Sequence, residues 1–377
     1  MYPELQHLRK DLHQYPELSG EERETAQRIV AFISDHHPPT ELITGIGGHG
    51  LAFVYDYPAT GPTVMIRCEL DALPIQEPNT FEHRSRTEGV SHKCGHDGHM
   101  GIVAGLTLWL RKQSFSAGRV VLFFQSAEET GKGAEAALCD DRFLALAPDY
   151  VFALHNIPGA PLHEIILTPR LFSPTVQSFT IFLKGKESHA SEPENGINPA
   201  LATAALIDQF ARCNIADPQR EDFAILTPVH LAMGQKAYGI SPGTGEMHYT
   251  IRTWTEAEMG RLKTNLEGIV ENIASNHRLS WSINWLEYFP ATVNDDYCRE
   301  LVLSAARANG FSVTEQATPF RFGEDFGWLS RNHRVAMFGL GAGKDCPALH
   351  HAEYDFPEVL MATGVKQFGA IIASILS

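Results

Sequence analysis

The stretch Val64-Met65-Ile66-Arg67-Cys68-Glu69-Leu70-Asp71 joins an apolar run to two carboxylates, and it indicates the fold class of the chain. Its first five residues are predicted to form a buried strand, and similar runs occur at 120–124 and 150–154. The apolar segment 100–110 lies between the first two runs and is long enough for a buried helix. Strands that alternate with helices predict an α/β fold, with a mostly parallel mixed sheet covered by helices.

Two helices are predicted before this sheet. Leu5, Leu8 and Leu12 recur at helical spacing, and apolar residues at 26, 29, 30 and 33 share one face of a second helix. The residues Ser19-Gly20-Glu21-Glu22 have the form of a capping box, in which the serine would cap the second helix.

The middle of the chain has a different pattern. Strand-like runs at 179–184, 230–233, 246–253 and 281–285 are interleaved with helical segments at 198–212 and 259–273. The resulting order, β-α-β-β-α-β, predicts a ferredoxin-like α+β domain. A strand at 335–340 and a helix at 368–376 then return to the first style. We therefore expect an α/β domain at 1–172 and 289–377, interrupted by an inserted domain at 173–288.

Composition excludes several classes of protein. The 377 residues are 44% hydrophobic and 20% charged, which is typical of a globular protein with more than one domain. The formal net charge of -15 argues against nucleic acid as the main partner. No apolar run is long enough to span a membrane, and the first residues do not resemble a secretion signal, so a cytoplasmic protein with reduced cysteines is expected.

Chemically reactive side chains follow each predicted strand of the first domain. Glu69 and Asp71 follow the first strand, Glu128 and Glu129 follow the second, and His155 ends the third. The carboxyl ends of parallel strands meet at one edge of a sheet, where the sites of open α/β proteins lie. Adjacent carboxylates beside a metal can divide their roles, one as a ligand and one as a proton acceptor. Without such neighbours, the same pair would be a solvated surface.

The segment Cys94-Gly95-His96-Asp97-Gly98-His99 precedes the apolar helix. A thiolate, imidazoles and a carboxylate at this spacing suit a divalent metal such as zinc. One alternative is a polar loop with Asp97 as a helix cap. Another is a cysteine nucleophile paired with a histidine. The surrounding carboxylates oppose a thiolate unless a cation is present, which favours the metal.

Further candidates lie outside these segments. His350 and His351 stand in a polar stretch near the end of the chain, and either could bring the C-terminal part to the same site. In the inserted domain, His189 follows a strand within Ser188-His189-Ala190-Ser191, and Arg252 lies on a strand. The simplest interpretation of these two residues is that they are surface side chains.

Several motifs are shared with a known family. They are Leu8-Arg9-Lys10-Asp11-Leu12-His13, Pro16-Glu17-Leu18-Ser19, Asp71-Ala72-Leu73-Pro74, Cys94-Gly95-His96-Asp97-Gly98-His99-Met100, Ala127-Glu128-Glu129, Leu154-His155, 185–190, Gly323-Glu324-Asp325-Phe326 and Gly339-Leu340-Gly341-Ala342-Gly343. Across almost its whole length the chain resembles the M20 metallopeptidases. The most similar branch is the aminoacylase-like amidohydrolases, which include hippurate hydrolases, auxin-conjugate hydrolases and N-acyl-amino-acid deacetylases.

This resemblance implies a binuclear centre and assigns a role to individual residues. Zinc or manganese is the expected metal, with nickel or cobalt as alternatives. The resemblance implies Glu128 as general base, Asp71 as the carboxylate that orients the site, and His189 as a group that stabilises the oxyanion in its own or a partner's active site. Arg252 is a second candidate for substrate binding. The implied metal ligands are Cys94 as the bridge, His96, Glu129, His155 and His350.

The implied activity is hydrolysis of the amide bond of N-acyl amino acids or related small conjugates. The inserted domain would act as a lid and as the surface of a homodimer. Two alternatives remain open, an exopeptidase of the dipeptidase or carboxypeptidase type and a catalytically silent metal-binding paralogue. Three departures from the family pattern leave the substrate open: Glu69 replaces Asp, Gly239 replaces Asn, and Ala352 replaces Pro.

Overall fold

The structure, a computed structural model, describes residues 3–377 in two compact units. Unit 1 contains the described residues up to Phe172 together with Thr292–Ala317 and Glu324–Ser377, and unit 2 contains Ser173–Ala291 with Thr318–Gly323. Residues 289–291 and 318–323 differ from the predicted division, which placed both segments in the first domain. They pack within unit 2, where Nε of Arg252 donates to the carbonyl oxygen of Arg321 at 2.9 Å and the Arg321 guanidinium lies over the Phe223 ring.

Unit 1 is built on an eight-stranded mixed sheet. The centre of the sheet is parallel, as predicted, while antiparallel pairs occur towards its edges. In spatial order the strands are β1 (Glu41–Ile46), β2 (Gly50–Asp56), β4 (Ala117–Gln125), β3 (Ala59–Glu69), β5 (Tyr150–Ile157), β16 (Arg334–Gly341), β6 (Ile165–Leu167) and β15 (Val313–Glu315).

Helices cover both faces of this sheet, because its strands are apolar on both sides. Phe124 packs into a core formed with the longer helices, whereas Phe123 points to the other face and contacts Phe143 at 5.0 Å between ring centroids. The longer helices are α1 (Pro3–Gln14), α2 (Arg23–His36), α3 (His96–Leu110), α8 (Asp296–Ala308) and α10 (Leu360–Leu376). The shorter ones are α4 (Gly133–Leu138), α5 (Asp141–Leu144), which carries Phe143, and α9 (Gly327–Ser330).

The predicted capping box of α2 is wrong. Glu22 occupies the N-cap position and makes no cap hydrogen bond of its own, while the Glu17 carboxylate accepts from the first-turn amides of Glu24 and Thr25. Oγ of Ser19 instead donates to Oδ2 of Asp71 at 2.7 Å, and the Glu22 carboxylate accepts from Oγ of Ser126 and the amide of Ala127. These partners follow strands β3 and β4. The two polar side chains therefore hold the strand ends in place rather than capping the helix.

Unit 2 has the predicted element order. It contains β8 (Thr175–Lys184), α6 (Ala200–Arg212), β10 (Ala224–Met233), β12 (Thr244–Thr253), α7 (Glu256–Asn276) and β13 (Ser280–Phe289). The strands form an antiparallel sheet in the order β10-β12-β8-β13, and the two helices pack on one face of it. The short elements of unit 2 are β9 (Ser188–His189), the 3-10 helix Pro193–Asn195 and β11 (Ile240–Ser241). The short strand β14 (Thr292–Val293), which belongs to unit 1, pairs with β7 (Leu171–Ser173).

Among residues 3–377, no helix is both long enough and apolar enough to span a membrane.

Candidate metal centre

The carboxyl ends of three neighbouring strands bring the polar side chains of unit 1 together. Glu69 ends β3 and Asp71 follows it, Glu128 and Glu129 follow β4, and His155 lies within β5. Helix α3 begins at His96 beside the same edge. The site is thus assembled from segments that are distant in sequence, as the parallel sheet predicts.

Two sets of potential ligand atoms share Cys94. The donor atoms of Cys94, His96 and His155 lie within 4.8 Å of one another, and so do those of Cys94, Glu129 and His350. The two sets contain all five predicted ligands. Sγ of Cys94 is the one donor atom that the two sets have in common.

Individual distances within these sets suit tetrahedral coordination. Sγ of Cys94 lies 3.5 Å from Nε2 of His155, and Oε1 of Glu129 lies 3.6 Å from Nε2 of His350. Metal–ligand bonds of about 2.0–2.3 Å at tetrahedral angles place neighbouring ligand atoms roughly 3.3–3.7 Å apart. The donor atoms are therefore spaced to hold ions between them.

Hydrogen bonds to main-chain carbonyls set the tautomers of two imidazoles. Nδ1 of His96 lies 2.9 Å from the carbonyl oxygen of Asp71, and Nδ1 of His155 lies 2.9 Å from that of Asn156. A carbonyl oxygen only accepts, so each Nδ1 carries a hydrogen, and in the neutral ring Nε2 presents the lone pair. This arrangement is common for metal-binding histidines.

Among the buried carboxylate oxygens of residues 3–377 that lack a hydrogen bond, two lie in the candidate site: Oδ1 of Asp71 and Oε1 of Glu129. A buried carboxylate oxygen without a partner is unfavourable, and a divalent cation would supply the missing partner. The chemistry of these residues therefore fits a metal centre.

The backbone is unusual where it supports the site. Ala127 and His350 have φ values of 53° and 63°, in the left-handed region that non-glycine residues rarely adopt. Gly95 has φ of 96°, and a Cβ there would lie 2.8 Å from Oδ1 of Asn156 and 2.9 Å from the Tyr354 hydroxyl. Only glycine fits between Cys94 and His96 in this conformation.

Glu128 is placed to exchange a proton beside the two ligand sets. It is only 5% exposed, its Oε1 accepts from the amide of Asp325 at 3.3 Å, and its Oε2 lies 3.9 Å from Nε2 of His96. Burial, followed by the charges of Glu324 and Glu129, raises the pKa of Glu128 well above its usual value. The environment therefore favours a carboxyl group that readily accepts a proton.

The other pKa shifts show a site that is electrostatically unbalanced without cations. Burial raises the pKa of Glu129 to about 7 and lowers that of His155 to about 3. Burial opposes protonation of His96, but nearby carboxylates, led by Glu69, raise its pKa to about 10. Burial and the carboxylates also raise the pKa of the Cys94 thiol, which disfavours the alternative of a cysteine nucleophile.

A buried set of residues beneath the site was not assigned by sequence reasoning. Arg67 is 1% exposed and pairs with Glu69, Glu324 and Asp325. The sequence signal was present, since an arginine inside an apolar strand needs buried acidic partners. His99, Asn156 and Tyr354 are likewise buried and hydrogen-bonded to one another or to Glu69.

The two substrate-binding candidates lie in unit 2. His189 is exposed on β9, and its Nδ1 lies 2.6 Å from Oγ of Ser191. Arg252 is half-buried on β12, where burial lowers its pKa. Their part in catalysis stays a prediction. His351 is exposed in unit 1 and belongs to neither ligand set.

The departures from the family pattern differ in their surroundings. Glu69 contacts both Arg67 and His99. The carbonyl oxygen of Gly239 accepts from the amide of Ala190 at 2.9 Å, and no atom lies within 4 Å of where its Cβ would be. Nothing in the structure explains Ala352.

Comparison with known proteins agrees with this geometry. The model of peptidase family M20/M25/M40 matches residues 65–374. An N-acetyl-L-cysteine deacetylase of Bacillus subtilis (strain 168) is 30% identical, over 93% of this chain and 83% of the relative. An N-acetyldiaminopimelate deacetylase of Priestia megaterium is also 30% identical, over 92% and 91%. A Bacillus subtilis structure described as a dinuclear metal-binding M20 peptidase superposes with a TM-score of 0.82 and 25% identity, covering 99% and 98% of the two chains.

Proposed function

Because the chain belongs to peptidase family M20/M25/M40, we propose that it cleaves the amide bond of N-acyl amino acids or related small conjugates. The chain is a metal-dependent amidohydrolase. The proposed substrate class is that of two relatives, which are deacetylases of N-acetylated amino acids.

One observation carries the proposal: two ligand sets share Cys94, and Glu128 stands beside them. A structural metal site needs ligands but no additional proton acceptor. The presence of Glu128 therefore favours a catalyst over a silent metal-binding paralogue.

The proposed ligands are Cys94, His96, Glu129, His155 and His350, holding two divalent ions of which zinc and manganese are the first candidates. Divalent ions of this kind, when bound, lower the pKa of a coordinated water and polarise a carbonyl oxygen. Asp71 receives hydrogen bonds from Ser19 and from the amide of Glu129 at 2.9 Å, and so orients the ligand-bearing turn.

Glu128 accepts a proton from the attacking water in this mechanism and returns it to the nitrogen of the leaving amine. Its burial keeps bulk water from competing for that proton. The Asp325 amide holds Oε1, which leaves Oε2 on the side of His96 to take part in the transfer.

Two residues of unit 2 are proposed to contact the substrate. His189 would stabilise the oxyanion that develops from the amide carbonyl, and Arg252 would bind the substrate carboxylate. The His189→Ala variant should lower kcat, whereas Arg252→Ala should raise KM. An unchanged kcat and KM in both variants would remove unit 2 from the proposal.

The test is hydrolysis by protein stripped with a chelator and reloaded with Zn²⁺, Mn²⁺, Co²⁺ or Ni²⁺. The panel contains N-acetyl amino acids, including N-acetyl-L-cysteine and N-acetyldiaminopimelate, beside dipeptides. We expect metal-dependent deacetylation that is lost in Glu128→Gln. Faster cleavage of the dipeptides would favour the exopeptidase alternative, and chelator-resistant activity would contradict the mechanism.

A further inference from the structure

A continuous series of buried hydrogen bonds runs beneath the candidate metal centre. It consists of six side chains, which we call the polar floor: Asp325, Arg67, Glu69, His99, Asn156 and Tyr354. All six side chains are at most 2% exposed. All belong to unit 1. None of them is one of the five proposed ligands or the proposed general base.

One end of the polar floor holds the loop beside Glu128. The Asp325 carboxylate accepts from Nη2 of Arg67 at 2.6 Å, from Nε2 of Gln125 at 2.8 Å and from the amide of Ala134 at 2.8 Å. These bonds fix the backbone of Asp325, whose amide donates to Oε1 of Glu128. The carboxylate of Asp325 thus acts on the general base through its own main chain.

Glu69 is the central member of the polar floor. Its Oε1 pairs with Nη1 of Arg67, and its Oε2 accepts from Nδ1 of His99 at 2.7 Å. Each oxygen therefore serves a different neighbour. An aspartate at this position is shorter by one carbon–carbon bond of about 1.5 Å, so its carboxylate would not reach both partners without movement of the strand.

The other end lies under the loops that carry Cys94 and His350. Nε2 of His99 lies 2.6 Å from Oδ1 of Asn156, and Nδ2 of Asn156 donates to the Tyr354 hydroxyl at 2.6 Å. Oδ1 of Asn156 and the Tyr354 hydroxyl are the atoms that a Cβ on Gly95 would strike, so the ligand loop rests directly on them.

Lys93 connects Tyr354 to His350, the other proposed ligand at this end of the polar floor. Its ammonium group donates to the carbonyl oxygen of Tyr354 at 2.8 Å, and its own carbonyl oxygen accepts from the amide of His350 at 2.8 Å. The polar floor therefore reaches from the general base to the loops of Cys94 and His350, segments that no short stretch of chain connects.

We propose that the polar floor is a positioning network that holds the Glu128 side and the Cys94–His350 side of the centre in register, with Glu69 as its indispensable link. The proposal rests on the proposed function, because the centre it aligns is the one assigned there. Removing groups that orient metal ligands commonly lowers metal affinity or activity by about 10- to 100-fold.

The experiment compares Glu69→Asp, Glu69→Gln, Tyr354→Phe and the double variant Glu69→Gln/Tyr354→Phe. For each protein, Zn²⁺ and Mn²⁺ binding is measured by calorimetry on the metal-free form. The kcat and KM values are measured with the best substrate of the N-acetyl amino acid panel. We expect each Glu69 variant to lose about 10- to 100-fold in metal affinity and kcat, with KM within about twofold.

The double variant tests whether the members act together. Residues of one network lose less in combination than the product of their separate losses. Asn294→Ala is the matched control, because Asn294 is also buried in unit 1 and bonds the main chain of Met337, but it contacts no member of the polar floor. We expect this control to melt at a lower temperature while metal affinity and kcat per folded molecule stay unchanged.

Three results would overturn the proposal. They are losses in the double variant that multiply fully, Glu69 variants that lose only thermal stability, and a Glu69→Asp variant that behaves as wild type. The calorimetric arm needs no substrate, so absence of any hydrolysis by the wild-type protein would refute the proposed function while the network was still judged on metal binding.

Discussion

Unit 1 buries charged side chains, whereas the buried polar side chains of unit 2 are all uncharged. In unit 2 these are Ser173, Thr175, Gln177, Thr180, Ser241 and Thr253. In unit 1 the buried charged residues are Arg9, Glu22, Arg67, Glu69, Asp71, Glu77, Lys93, Asp97, Glu128, Glu324 and Asp325. Both units are built on a β-sheet with helices packed against it, so the sheet itself does not account for the buried charges of unit 1.

The contrast separates the residues that stabilise a domain from the residues that serve its function. Buried ion pairs rarely stabilise more than apolar residues of the same volume, because desolvation offsets their attraction. Apolar burial as in unit 2 is the ordinary source of stability. The charges of unit 1 are therefore best explained by the centre that they surround.

Glu128→Gln should abolish most of the activity without harming the fold. We expect kcat to fall about 1,000-fold, since general acid–base catalysis contributes about 100- to 10,000-fold. The pKa of Glu128 is raised in the folded state, so its ionised form destabilises the metal-free protein at neutral pH. The metal-free variant should therefore melt at a higher temperature than the metal-free wild type. Glu271→Gln, on the exposed side of α7, is the control and should change neither value.

Leu266→Ala should have the opposite profile. Leu266 is fully buried in the core of unit 2, and such truncations destabilise by about 2–5 kcal/mol. Denaturant unfolding should show this loss, while metal affinity at 25 °C stays at the wild-type value. Leu201→Ala on α6, where the side chain is 73% exposed, is the matched control. A loss of metal binding in Leu266→Ala would break the division between the units.

Metal binding should stabilise unit 1 selectively. A free metal concentration of 100 times Kd adds about 2.7 kcal/mol to the free energy of unfolding. Hydrogen exchange should slow in the first turn of α3 and around His350, whereas β12 of unit 2 should exchange at the same rate with and without metal. The Cys94→Ser variant should show a smaller gain, because both ligand sets lose their shared sulfur. Equal protection of β12 would contradict the expectation.

Asp295 is a charged residue of unit 1 that lies at the surface, and its variants test how much such a charge contributes to stability. It caps α8 by accepting from the amide of Cys298 and pairs with Arg334 at 3.0 Å. Burial opposes its ionisation, but the hydrogen bonds from Arg334 and Cys298 lower its pKa overall. The stabilisation from the ionised form is present above about pH 4, the usual pKa, and disappears as the pH falls through the lower folded value.

We expect Asp295→Ala to cost about 1 kcal/mol at pH 7, measured by urea unfolding, and less below pH 3. Asp295→Asn keeps the cap and removes the charge, so it should lie within about 0.5 kcal/mol of wild type. A loss in Asp295→Asn as large as that in Asp295→Ala would show that the ion pair, and not the cap, is important.

The sequence predicted what depends on local periodicity and on the ends of strands. The alternation in 246–253 and the apolar spacing in 259–273 were sufficient for β12 and α7. The convergence of Glu69, Glu128 and His155 followed from the parallel sheet. Strand β1 carries only one buried residue, Ile46, and so gave no apolar run to detect.

Contacts between distant segments could not be predicted in the same way. Arg67 and Asp325 are 258 residues apart, and no local pattern indicates their pairing. The same limit explains the capping box, where Ser19 and Glu22 have suitable spacing but find partners on the sheet. Local rules predicted the elements, and the polar floor arises only when those elements meet.

The division of unit 1 into three stretches of sequence has a consequence for biosynthesis. Strand β5 pairs with β16 through Tyr150 and Arg334, so at about 5–20 residues per second its partner leaves the ribosome roughly 10–40 s later. The strands of unit 2 are made without interruption during that interval. We expect unit 2 to be folded before β16 is available to pair with the apolar edge of β5. Chaperones that shield nascent chains should therefore matter most in that period.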